Sequence, residues 1–296
     1  MAVTAEAVKA LRERTGAGMM ECKKALVEAN GDLEAAAEAM RKSGLAKADK
    51  KAGRIAAEGV VVIERSADGL SAALVEVNSE TDFVAREKDF QSFAQEVAKL
   101  ALAAKPADLD GLVASKLPSG QTVEEARRAL IARIGENIGV RRFEIVTGAA
   151  PLATYLHGSR IATVVVIEGG DAALGHDLAM HVAAINPQYL SSAEVPTDQV
   201  EKEREIFIAQ AAGDPKLQGK PKDVLVKATE GKLRKFLGEI TLLGQPFVKD
   251  DKLTVEKMLA AAQSKVLSYR FLVVGEGIEK KQENFAAEVM AQVRGA

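Results

Sequence analysis

Apolar positions along this 296-residue chain change their period repeatedly, and each change marks an element boundary. Val8 and Leu11 follow Thr4 at helical spacing. Met19, Cys22, Ala25 and Leu26 follow Thr15-Gly16-Ala17-Gly18, and Leu33, Ala36, Ala37 and Met40 follow Asp32. Thr4 and Asp32 are capping residues, while Asn30-Gly31 and Gly44 are stops. Residues 1 to about 45 therefore predict a three-helix module resembling a ubiquitin-associated-type domain. Lys47, Lys50, Lys51 and Arg54 follow as a short basic run that reads as a solvated linker, closing a first segment at residues 1–57.

The middle of the chain repeats itself. Gly59 to Arg65 and Leu70 to Asn78 flank Asp68-Gly69, a hairpin signal. A helix from Thr81 comes next, then a capping box at Thr122-Val123-Glu124-Glu125 that opens a second helix through Leu130, Ile131 and Ile134. Arg142 to Val146 closes this first unit, residues 58–150. The same order recurs: Leu152 to Leu156, Ile161 to Ile167, a helix with Leu178 and Val182, Thr254-Val255-Glu256 opening another, and Arg270 to Val274. Thr-Val-Glu pairs with Thr-Val-Glu, and Arg-Phe-x-x-Val with Arg-Phe-x-x-Val. Each unit reads β-β-α-α-β, so the expected fold class is α+β with antiparallel sheets and helices on one face.

The second unit, 151–187 and 238–275, is interrupted at 188–237. Two charged helical segments there, Thr197 to Ala212 and Pro221 to Leu237, predict an inserted antiparallel helical hairpin with a thin apolar seam. Residues 276–296 predict a C-terminal helical module, with a helix from about Asn284.

Composition narrows the classes. The net charge of −2 is interspersed, which offers no global field for nucleic acid or an anionic membrane. Aromatics are few and Trp is absent, so no stacking platform for single strands is legible. Cys22 is the single cysteine, which excludes an intrachain disulfide and suits a reducing cytoplasm. No run reaches membrane-span length and the amphipathic N-terminal stretch predicts no secretory signal. His176 and His181, five apart, do not align two metal ligands on a helix as four would, and His181 reads as a satisfied, partly buried side chain. Gly275-Glu276-Gly277 lacks a dinucleotide fingerprint and no Walker-type lysine follows a glycine loop, so the chain is expected to hold no nucleotide and no cofactor.

Between the two periods of the first unit stands Asn78-Ser79-Glu80-Thr81-Asp82-Phe83-Val84. Leu74, Val75 and Val77 end a buried strand before it, and Phe90, Phe93, Ala94, Val97 and Ala101 follow at helical spacing. Ser79 and Asp82 stand three apart, as capping residues do, and Thr81 is also placed to cap. In isolation this reads first as a capped helix whose first Phe enters the core. Thr81-Asp82-Phe83-Val84 nevertheless resembles the signature of the elongation factor Ts family. So do Leu11-Arg12-Glu13-Arg14-Thr15-Gly16-Ala17-Gly18-Met19-Met20, Ile134-Gly135-Glu136-Asn137-Ile138, His157-Gly158-Ser159-Arg160-Ile161, Met180-His181-Val182-Ala183-Ala184 and Gly244-Gln245-Pro246-Phe247-Val248, in the family's order.

The resemblance implies a cytoplasmic guanine-nucleotide exchange factor, not an enzyme, whose partner is elongation factor Tu. It implies that Thr81, Asp82, Phe83 and Val84 disturb the GTPase's magnesium and phosphate site. It places further contacts at Leu11, Arg12, Met19, Met20, Ile134, Gly135 and His157, with Met19 equally readable as core. In the family the inserted hairpin is a coiled coil variably involved in self-association, which admits a homodimer or a 2:2 heterotetramer. Two other readings stand beside it: an enzyme with an unrecognised site between the core halves, and nucleic-acid binding on the basic run.

Overall fold

The N-terminal module folds because three short amphipathic helices bury one stripe each. The computed structural model describes residues 3–215 and 220–279, and the expected helix from Asn284 lies outside them. Helices α1 (Ala5–Thr15), α2 (Met19–Glu28) and α3 (Leu33–Lys51) pack around Val8, Leu11, Cys22, Leu26 and Ala36. Thr4 caps α1 by accepting from the Ala7 amide at 3.1 Å. Asp32 caps α3 by accepting from Glu34 and Ala35 at 2.9 and 3.0 Å.

One expectation fails here. Gly44 does not stop α3, which runs on to Lys51. A Cβ at Gly44 would lie 2.8 Å from Ala132 Cβ on α7 (Val123–Ile134), so the missing side chain permits close helix approach. The basic run is correspondingly no free linker. The Lys51 amine donates to the Gly135 carbonyl, and the Arg54 carbonyl accepts from the Asn137 carboxamide at 2.7 Å. The Lys47 side chain lies outside the described set.

The duplicated core is present as two three-stranded antiparallel sheets, ordered β1-β2-β3 and β4-β5-β8. The first comprises β1 (Glu58–Arg65), β2 (Ser71–Ser79) and β3 (Ile138–Thr147); the second β4 (Ala153–His157), β5 (Ile161–Glu168) and β8 (Lys265–Val273). Both closing strands begin earlier than expected. The helix expected from Thr81 is split into α4 (Asp82–Ala85) and α5 (Lys88–Ala104), and α6 (Leu109–Ala114) occupies what reads as loop. The capping box of α7 is formed: Thr122 Oγ1 accepts from the Glu125 amide and Glu125 Oε2 accepts from the Thr122 amide.

In the second copy α8 (Ala172–Ile185) packs on β4 and β5 through Leu178, Ala179 and Val182. A 3₁₀ turn (Ser192–Glu194) leads into α9 (Thr197–Gly213), which folds against α10 (Lys222–Ile240). Phe207 and Phe236 meet edge-to-face, with centroids 6.2 Å apart, and Ala211 and Leu233 are buried in the seam. A small hairpin, β6 (Pro246–Phe247) with β7 (Asp250–Thr254), precedes α11 (Val255–Ala261), which Thr254 caps. Among the described residues no helix is long and apolar enough to cross a membrane.

The chain divides into two compact units, residues 1–64 with 73–144 and from Leu272, and residues 65–72 with 145–271. In the first, β2 is buried almost throughout and carries Glu76 and Asn78 inside it. Glu76 Oε1 accepts from Asn78 Nδ2, Arg141 Nη1 and the Gly275 amide at 3.0, 3.0 and 2.8 Å, and Oε2 accepts from Arg142 Nε at 2.6 Å. Burial alone would raise this carboxyl; the bonds from Gly275, Asn78, Arg142 and Arg141 outweigh it and hold it below its ordinary value. Arg142 also donates to the Val273 carbonyl at 3.0 Å and Arg141 to that of Glu276. Gly275 adopts φ +75°, and a Cβ there would stand 2.3 Å from the Ala57 carbonyl oxygen, so only glycine reaches Glu76 in this way.

Candidate protein-binding site

The corner from β2 into α4 is shaped by short-range bonds. Ser79 Oγ donates to the Thr81 carbonyl at 2.8 Å. Thr81, in extended conformation, caps α4, its Oγ1 accepting from the Val84 amide at 3.4 Å. Val84 and Ala85 turn inward and are buried, while Phe83 turns outward and is 76% exposed. The reading of Phe83 as core is thereby excluded. Leaving such a ring in water forgoes roughly 1.5–3 kcal/mol of burial. Asp82, at the first helical position, faces the positive helix end and pairs with Arg86 at 2.7 Å. That pair is solvent-exposed and contributes at most about 1 kcal/mol.

A feature that sequence reasoning missed lies behind the corner. Glu136, just past the end of α7, accepts from the Thr81 amide at 2.9 Å and from its hydroxyl at 2.7 Å. Glu80 reaches the other way, accepting from the Asn137 amide at 2.6 Å, with Arg54 3.6 Å from its second oxygen. Hydrogen bonds to a charged group contribute about 1.5–3 kcal/mol each. The partners stand 55 and 57 positions apart, beyond any local spacing rule. Ile134 and Gly135 are thus brought beside Thr81 through Glu136. Gly135 ends α7 with φ +90° and half-exposed backbone.

The same helix supports the N-terminal module. Arg133 lies under Gly16, whose added Cβ would meet it at 2.6 Å, and pairs with Asp89 of α5 at 2.9 Å. On the module Arg12 is exposed, and Met19 and Met20 are 62% and 76% exposed at the start of α2. The core reading of Met19 does not hold. Two expected contact residues are placed otherwise. Leu11 is fully buried in the module core and Val84 is buried beneath the corner, so their side chains support the surface from below.

The second unit is described by itself. His157 is exposed at the end of β4, its Nδ1 3.1 Å from the Tyr155 hydroxyl. His181 is fully buried. Its Nδ1 accepts from the Val248 amide at 3.2 Å, so Nε2 carries the proton and donates to Gln245 Oε1 at 3.0 Å. Gln245 Nε2 donates in turn to the Glu239 carbonyl at 2.8 Å. Burial holds the imidazole below its ordinary pKa, against the opposing pull of Gln245. The two matching stretches around His181 and Gln245 therefore meet in a satisfied core pair.

Among the described residues no group of three or more His, Cys, Asp and Glu is placed to hold a metal. Phe83 on its turn and Met19 and Met20 at the start of α2 leave a ring and two thioethers exposed on an α+β scaffold, side chains of the kind that protein-binding surfaces use. A profile described as elongation factor TS matches residues 80–276. Over the full length the chain is 57% identical to elongation factor Ts of Thioalkalivibrio sulfidiphilus and 55% identical to that of Alkalilimnicola ehrlichii, covering all of each. It is 57% identical to elongation factor Ts of Francisella tularensis subsp. novicida over 99% of both chains. The chain belongs to the elongation factor Ts family, a family of translation elongation factors.

Proposed function

We propose that this chain promotes release of GDP from elongation factor Tu by pressing the Asp82–Phe83 corner into the GTPase near its magnesium and phosphate site. The observation that carries this is an exposed phenylalanine ring held on a four-residue helix whose capping residue, Thr81, is fastened from behind. A ring entering between packed elements displaces the backbone that positions the metal, and losing the metal removes the largest positive charge holding the diphosphate. Asp82 enters with it, its exposed partner Arg86 being easily given up.

Arg12, Met19 and Met20 supply grip, as methionines do on adaptable surfaces. His157 adds a contact from the second unit. The chain then stays on the nucleotide-free GTPase until GTP binds, as linkage requires of a factor that binds the empty state best. Residues 188–237 form an arm outside the displacement step, and residues 276–296 add further grip. The test is release of fluorescent GDP from elongation factor Tu by the intact chain and by Phe83→Ala, with melting curves of both. Unaltered release by a folded Phe83→Ala chain defeats the reading.

A further inference from the structure

We infer that Glu136 is a positioning residue for exchange: through Thr81 it orients the turn that presents Phe83. The inference rests on the function proposed above for its kinetic consequence, and on geometry alone for the positioning itself.

The turn is short. Its own backbone bonds run from the Ala85, Arg86 and Glu87 amides to the Thr81, Phe83 and Val84 carbonyls at 3.4, 3.1 and 3.0 Å, and four residues are too few for propagation to recover the nucleation cost. The ring that would ordinarily pin it inward points to solvent. The cap bond from the Val84 amide is long, at 3.4 Å. Against this, Glu136 takes both donors of Thr81, at 2.9 and 2.7 Å. A threonine hydroxyl has one proton. Directing it to Glu136 leaves the oxygen's lone pairs for the Val84 amide, so the carboxylate sets the rotor that makes the cap.

Glu136 is itself held. Gly135 turns the end of α7 at φ +90° and its carbonyl accepts from Lys51. Asn137 gives its amide to Glu80 and its carboxamide to the Arg54 carbonyl. Each glutamate thus receives the backbone amide that follows the other. This crossed pair fixes the turn relative to α7, the helix on which the N-terminal module also rests. A merely structural role would be expected of a group filling the core, but Val84, Ala85 and Phe90 already do that, and Glu136 lies half-buried at the rim.

The experiment uses the full-length chain and four variants: Glu136→Ala, Phe83→Ala, their combination, and Thr81→Val. Thr81→Val keeps the amide bond and the residue's shape while removing the hydroxyl. In the free protein, Glu136→Ala is expected to speed hydrogen exchange of the Thr81 and Val84 amides at least tenfold, leaving Leu74–Val77 unchanged. Thr81→Val should do so for Val84 only. At saturating chain, Glu136→Ala should slow GDP release from elongation factor Tu about tenfold, with the half-saturating concentration changed less. The combined variant should be no slower than Phe83→Ala, since one acts through the other. Unchanged exchange at Thr81 and Val84, normal release by Glu136→Ala, or losses that multiply in the combined variant would each overturn the inference. Normal release by Phe83→Ala would instead overturn the proposed function, while the amide exchange would still decide whether Glu136 positions the turn.

Discussion

Phe83 can test the proposed function apart from packing, because its ring is in water. Phe83→Ala is expected to leave the melting temperature within about a degree, since surface changes usually stay within ±0.5 kcal/mol. GDP release should fall about 30-fold, the equivalent of the ~2 kcal/mol contributed by an interface anchor. Two buried groups predict the response to acid. Folded His181 takes a proton less readily than the unfolded residue, whose value is 6.5, so stability is full above 6.5 and is lost as pH falls below it. His181→Gln, which keeps a donor and an acceptor, should melt lower at pH 7.5 yet flatten the decline between 6.5 and 5.5. Glu76 acts in a lower window. Its folded carboxyl is depressed from 4.5, so its contribution is full above 4.5 and disappears as pH falls through the folded value. Glu76→Gln removes the buried countercharge from Arg141 and Arg142, leaving Arg142 with Glu276 at 3.2 Å, and should cost about 2 kcal/mol at pH 7 by denaturant titration, the gap narrowing below 4.5.

Elements were legible where their signals are local. Thr122 and Glu125 stand three apart, and their reciprocal bonds form as that spacing predicts. The repeated β-β-α-α-β order is likewise present, with α6 added in the first copy and the β6–β7 hairpin in the second, because hairpin turns and caps are read over a few residues. Gly44 misled for the opposite reason: a glycine near a helix end suggests a stop, but here the reason for it is Ala132, 88 positions on. Gly44→Leu should push α3 from α7 and cost about 1–3 kcal/mol, read as a lower denaturation midpoint. Glu80 and Glu136 carried no local signal, and neither did the outward phase of Phe83, which a break after α4 decides. Helix α6 had one, since Asp108 accepts from the Gly111 amide at 2.8 Å, but six residues are too few for a period. The inserted arm shows its root. Leu242 and Leu243 donate to the carbonyls of Tyr189 and Leu190 at 2.8 and 3.1 Å, and Gln188 donates to that of Ile240 at 2.9 Å. The Tyr269 hydroxyl secures Pro187 at 2.6 Å. Replacing residues 197–236 by a short Gly/Ser connector should therefore preserve the sheet by circular dichroism. GDP release at saturation should stay within a few-fold of the intact chain.

For the molecule as a whole, the proposed exchange is a reciprocal coupling. A thousandfold weakening of GDP by this chain requires GDP to weaken the chain a thousandfold, about 4 kcal/mol in either direction. Titrating the chain onto elongation factor Tu with and without saturating GDP should return the same factor as GDP binding with and without the chain. The bond from the Gly275 amide to Glu76 has a consequence of another kind. It joins positions 199 apart in the sequence. A polypeptide leaves the ribosome from its N-terminus at roughly 5–20 residues per second, so about 10 to 40 s separate the appearance of the two groups. Throughout that interval β1, β2 and then β3 can pair, but Glu76 lacks one of its donors and Arg142 lacks the Val273 carbonyl. The unit begun first is completed last, while the whole second unit is made in between. Nascent chains halted with Phe271 out but Val273 still in the tunnel should accordingly yield to protease in β2 and β3 while protecting β4 and β5, and resistance should spread to the earlier strands only once residue 275 is free of the tunnel.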